Sequence, residues 1–190
     1  PLDLQVDPSE LRSDLERAMA AVVSLSAEVP EDAFTASILG TERAGNGVVI
    51  GDDGLVLTIG YLSTEASTIW LATNAGEVVQ GYPLAYDFHS GFGLVQPLGT
   101  LRAPALPRGD SAAVAAGARV VVISHGGRTH AMQAKLAAKR EFAGYWEYLL
   151  DEALFTAPAH PDWSGAALVN AEGQLIGIGS LLVQEAEEQQ

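Results

Sequence analysis

Cysteine is absent from this 190-residue chain, so neither a disulfide nor a thiolate takes part in its folding or chemistry, and the composition carries no mark of a redox compartment. Basic residues are scarce: 10 Lys plus Arg stand against 24 Asp plus Glu, a formal net charge of -14. A surface of that sign repels phosphate, which argues against nucleic acid and anionic lipid as partners and leaves solubility, cations or basic partners as its uses. Charged residues make up only 18% of the chain against 48% hydrophobic, the composition of a folded domain with a core and not of a disordered segment. No apolar run reaches the roughly 18 residues of a membrane span, and the first residues lack the basic-then-hydrophobic pattern of a leader, so a soluble protein is expected. Metal spacing is missing as well. Asp87 with His89 and His160 with Asp162 offer two ligands each, short of a site, and no metal or cofactor is expected.

What is present is organised around residues 155–180, FTAPAHPDWSGAALVNAEGQLIGIGS. It reads as a strand, a tight turn carrying Ser164, and a hairpin closed by Ala171-Glu172-Gly173. A serine at a strand entrance is by default a turn hydroxyl, and it becomes a nucleophile only with a base and an orienting acid. At the other end Asp7, Pro8 and Glu10 form a helix start, and Leu11, Leu15, Met19 and Val22 follow on one stripe, which predicts an amphipathic helix packed on the body. Short strands are predicted next at residues 21–26 and 34–39, and Gly45-Asn46-Gly47 breaks the chain before a hairpin over residues 48–58. A second pair is expected over residues 67–82 and a strand over 92–95; the proline-interrupted residues 96–110 read as a linker. Residues 119–123 form a buried strand, and residues 131–140 read as strand from context although alanine, leucine and lysine favour helix. GVVIGDDGLVLTIG and GAALVNAEGQLIGIG echo one another in plan, as two copies of one barrel unit would.

Three blocks taken in order, GNGVVIGDDGLVLTIGYL, LPRGDSAAVAAGARVVVISHGG and DWSGAALVNAEGQLIGIGS, make the chain similar to the trypsin-like serine proteases, and within them to the bacterial HtrA/Deg-type branch. The resemblance implies an all-β fold of two six-stranded antiparallel barrels with a cleft between them. The units are then a helix over residues 1–20, a first barrel over 21–100, a second over 111–184 and an acidic tail over 185–190. It also implies a periplasmic or cell-envelope location if a leader was removed upstream.

The chemistry departs from the pattern. Where the family carries its histidine, this chain reads Thr58-Ile59-Gly60-Tyr61, and a phenol with a reference pKa of about 10 is a poor base at neutral pH. Where the family places its aspartate, the stretch is Gly91-Phe92-Gly93-Leu94. Ser164 stands at the nucleophile position, but Asp162 occupies the place of the glycine whose amide serves the oxyanion hole. The expected function is therefore that of an inactive protease homologue binding a protein or peptide, with homo-oligomerisation possible. The alternative is a hydrolase in which His160 or His89 acts as a relocated base for Ser164. Candidate binding residues are Trp163 at the cleft and the aromatic ledge Phe142, Tyr145, Trp146 and Tyr148, since aromatic side chains are enriched among interface anchors.

Overall fold

The computed structural model describes residues 15–144 and 148–183. The Asp7 helix start, Tyr145 and Trp146 of the ledge, and the acidic tail lie outside these residues. The described part of the N-terminal helix is α1 (Leu15–Ala21), which buries Leu15, Ala18, Met19 and Ala21.

The first half is a closed antiparallel barrel. Its strands are β1 (Val22–Glu28), β2 (Glu42–Val49), β3 (Val56–Ile59), β4 (Thr68–Ala72), β5 (Val78–Tyr86) and β6 (Phe92–Pro97), joined in the order β1-β2-β3-β6-β5-β4. Alternation decides which side chains fill it. Val23, Leu25, Val49, Val56, Ile69, Leu71 and Val95 point inward and are buried. The second half holds β7 (Arg119–Ile123), β8 (Ala131–Ala143), β9 (Leu149–Ala157), β10 (Ala167–Val169) and β11 (Leu175–Ile178), in the order β11-β10-β7-β8-β9.

This corrects the expectation of two six-stranded barrels: the second sheet has five strands and is open. Numbering each half's strands from its own start, the first order becomes 5-4-1-2-3-6 around the ring, and the second is 5-4-1-2-3. The strand that would pair with both β9 and β11 is the one missing, because residues 179–183, which follow β11, form no strand. Sheet closure needs a segment bonded on both edges, and none among the described residues supplies it. The same numbering shows that the echoed hairpins are not equivalent. β2 and β3 are the second and third strands of their half, whereas β10 and β11 are the fourth and fifth, so the likeness lies in hairpin chemistry and not in a repeated unit.

Two local expectations also change. Residues 34–39 turn instead of extending, because the Glu65 carboxylate accepts the amides of Phe34 (3.0 Å) and Thr35 (2.8 Å) and the chain closes into a short α2 (Ala36–Leu39). Gly45-Asn46-Gly47 does not break the chain. All three residues lie inside β2, paired with Leu25, Ser24 and Val23 of β1. The strand expected at 131–140 forms, with β8 hydrogen-bonded to β7 on one side and β9 on the other, so pairing on both edges outweighs helix propensity. A core shared by α1, β1, β2, β7, β10 and β11 lies between the halves, including Met19, Val48, Val121, Ile123 and Val169.

Candidate functional site

The cleft lies where the turn before β10 meets the short helix α3 (Gly60–Ser63), which follows β3 directly. Tyr61 on α3 is set by a buried arginine. Arg43 of β2 donates to the carbonyls of Tyr61 (2.9 Å), Thr64 (3.0 Å) and Gly40 (3.2 Å) and to Thr35 Oγ1 (2.8 Å). Burial pulls the Arg43 pKa below the ordinary arginine value, with nearby Glu65 opposing the shift. Glu65 itself is held below the usual carboxylate range, first by the Thr35 hydroxyl.

The Tyr61 phenol stands 2.5 Å from Ser164 Oγ and 2.6 Å from the Ser180 carbonyl. A carbonyl only accepts, so the phenol proton goes to Ser180, and the Ser164 hydroxyl donates its own proton to the phenol oxygen. The serine proton is thus directed at the oxygen of a neutral phenol, which keeps its own proton on the Ser180 carbonyl and is a poor acceptor of a second.

Gly91, expected from the sequence to stand where the family has its aspartate, has no carboxylate, and the space beside it is filled. A side chain there would meet the Tyr148 ring, whose hydroxyl is bonded to Ser180 Oγ. Tyr148 is only 8% exposed and belongs to the core of the first barrel, and Phe142 packs against that core half-buried, so neither forms part of an open ledge. Trp163 is half-buried and borders two cavities, one of about 580 Å³ with Tyr61, Ser164 and Asn46 and one of about 320 Å³ that runs towards Phe155 and Ile176.

The backbone amide of Asp162 is engaged as well. Asp162 N–H donates to His160 Nδ1 at 3.0 Å, so the other ring nitrogen, Nε2, carries the proton and donates it to the His130 carbonyl at 3.0 Å. Both nitrogens of His160 are therefore engaged away from Ser164. His89 sits on the exposed turn between β5 and β6, its amide on Asp87 Oδ1 (3.1 Å). Asp87 is held below the usual carboxylate range, chiefly by the Ser90 hydroxyl. Among the described residues, no histidine nitrogen is bonded to Ser164 Oγ.

Burial pushes the His160 pKa below the ordinary histidine value. As pH falls, the unfolded chain takes up this proton before the folded one, so stability is lost progressively below about pH 6.5, the unperturbed value. Denaturant titrations are expected to give a lower midpoint at pH 5 than at pH 7. His160→Asn keeps an acceptor for the Asp162 amide and removes the titration, so it should flatten that part of the profile. A slope unchanged by the substitution would count against this assignment.

Sequence reasoning missed Asn46, buried in the seam between the halves. Its Nδ2 donates to the carbonyls of Ser164 (3.0 Å) and Asp162 (3.2 Å), and its Oδ1 accepts from the amide of His125 (2.7 Å). Its backbone amide also donates to Ser164 O (2.9 Å), and its carbonyl accepts from the Thr58 hydroxyl (2.7 Å). One polar side chain between two glycines was the available signal.

None of the curated proteins matches the chain. Among solved structures, the HtrA-type protease AlgW with a tripeptide matches at a TM-score of 0.68 and 23% identity, covering 86% of this chain and 52% of that one. A substituted form of AlgW with a decapeptide matches at a TM-score of 0.70 and 18% identity, covering 90% of this chain and 58% of that one. These likenesses give the fold, and the chain spans little more than half the length of the structures it matches. No helix among the described residues is long and apolar enough to cross a membrane. A model of the trypsin-like peptidase domain matches residues 45–178, well over half of the sequence, and the chain belongs to that family.

Proposed function

We propose that this chain is a catalytically silent member of its family whose cleft between the two sheets binds a protein or an extended peptide. The observation that carries the reading is the Tyr61 phenol bridging Ser164 Oγ and the Ser180 carbonyl. It stands where the family has an imidazole and ties down the hydroxyl that would attack. Gly91 beside the Tyr148 ring and the Asp162 amide on His160 support the same reading, since Gly91 brings no orienting carboxylate and the Asp162 amide is turned to an imidazole nitrogen. Peptide binding is supported by the half-buried Trp163 at the junction of the two cavities and by the similar HtrA-type structures, which were obtained with peptides.

A fluorophosphonate probe, applied beside an active serine protease, is expected to leave Ser164 unlabelled. Extended peptides should bind in a fluorescence-polarisation titration without being cleaved, and Trp163→Ala should weaken them about tenfold, the loss of one aromatic anchor. Stoichiometric labelling of Ser164 would overturn the silent reading. Peptides that bind Trp163→Ala as tightly as the wild type would overturn the placement in the cleft.

A further inference from the structure

The outer face of β4 and β5 lies on the first barrel. Trp70 stands opposite Gln80, Ala72 opposite Val78, and Tyr82 of β5 opposite Gln96 of β6. Leu98 extends the Trp70–Gln80 row, its amide donating to the Gln80 carbonyl at 2.8 Å. Trp70 is 43% exposed, Val78 59%, Tyr82 54% and Leu98 64%. Isolated apolar residues on a surface need no explanation, but four large ones on adjoining strands form a patch of the kind that marks an interaction site.

The patch is also uncharged. Thr68, Trp70 and Ala72 on β4 and Val78, Gln80 and Tyr82 on β5 alternate outward without one ionisable carboxylate or ammonium, in a chain that carries 24 acidic residues against 10 basic ones. Charges sit at its margins: Glu28 on the neighbouring β1, and the Arg102–Glu77 ion pair at 3.2 Å.

We propose that this face pairs with the same face of a second copy of the chain, related by a two-fold axis. Two molecules of net charge -14 repel over most of their surfaces. They meet at least cost where neither presents a charge. A strongly charged partner would find nothing complementary here, whereas the face complements itself. Trp70 and Tyr82 provide aromatic anchors, and the Gln80 amide between them offers both a donor and an acceptor, as a group on or near a two-fold must. Sheets stacked face to face at about 10 Å are an ordinary packing for such surfaces. The inference stands apart from the reading of the cleft.

Sedimentation velocity of the 190-residue chain, from low micromolar to several hundred micromolar, tests it. A monomer–dimer equilibrium is expected, and it should tighten in high salt, because screening removes the repulsion between like-charged copies. Trp70→Lys and Tyr82→Lys should each weaken the dimer at least about tenfold, and the double variant should be monomeric. Both residues are exposed, so thermal melts of the diluted variants should stay close to the wild type. Added lysine lowers the net charge of each copy and would ease any purely electrostatic repulsion, so dissociation reads out burial of the face. Phe34→Lys, an exposed residue on the loop before α2, should leave the dimer intact. A wild-type chain that stays monomeric throughout leaves the face to another partner and overturns the proposal. So does a dimer that survives both substitutions, or one that Phe34→Lys dissolves.

Discussion

Replacing Gly165 by alanine is expected to destabilise the protein by about 2–5 kcal/mol, with much of it insoluble or unfolded on expression. Two costs add. Gly165 sits at φ 72, in the left-handed region, where a side chain costs about 1–2 kcal/mol. A Cβ built there would also run into the Asn46 carbonyl of the other half, a backbone atom that cannot swing aside. Forcing a methyl into a packed seam costs about a further 1–3 kcal/mol. The two effects separate by comparison with Gly76→Ala: Gly76 has φ 84 and open space around it, so only the backbone cost applies. Denaturant unfolding of the two variants side by side gives the steric share as their difference. In a domain of this size the Gly165 variant should melt at least about 4 °C lower, given roughly 2–4 °C per kcal/mol. If the two variants lose stability equally, the seam is not packed as tightly as this geometry requires.

The position of Gly165 shows what was legible and what was not. The hairpins around it were readable because turn residues and alternation are local: β2 with β3 and β10 with β11 fall on the glycine-bounded apolar runs. The order of the three blocks carried the family, which the domain match over residues 45–178 shows. Closure of the second half was not readable, since it depends on whether a segment pairs with β9 and β11 at once, and pairing at that distance leaves no periodic trace. Nor was the role of Tyr148. An aromatic-rich run suits an exposed ledge as well as a plug, and only Gly91, across the fold, supplies the space its ring fills. His160 was flagged for nearness in sequence to Ser164, but ring orientation is a tertiary property, and its nitrogens face Asp162 N and His130 O.

Asn46 sets the final expectation: Asn46→Ala should cost about 2–4 kcal/mol, and Asn46→Asp more, although aspartate matches the native shape better. Truncation leaves the His125 amide and the Asp162 carbonyl without this partner in the buried seam, while Ser164 O keeps the Asn46 amide. A buried polar group stripped of its partner costs about 1–3 kcal/mol. Aspartate restores the acceptor for His125, but it aims a second carboxylate oxygen at the carbonyls of Ser164 and Asp162, so a stabilising contact becomes a repulsive one. The order asparagine, alanine, aspartate in falling stability therefore separates a donor that bridges the halves from a residue that merely fills space, which would put aspartate nearest the wild type. The same side chain holds the turn bearing Ser164 against β2, so weakening it should also loosen the cleft. Urea titrations followed through Trp70 of the first barrel and Trp163 of the cleft, each in a background where the other tryptophans are replaced by phenylalanine, would then lose their coincidence in the Asn46 variants. Probes that still report one transition in Asn46→Asp would mean that the apolar core shared with α1 suffices to couple the two sheets.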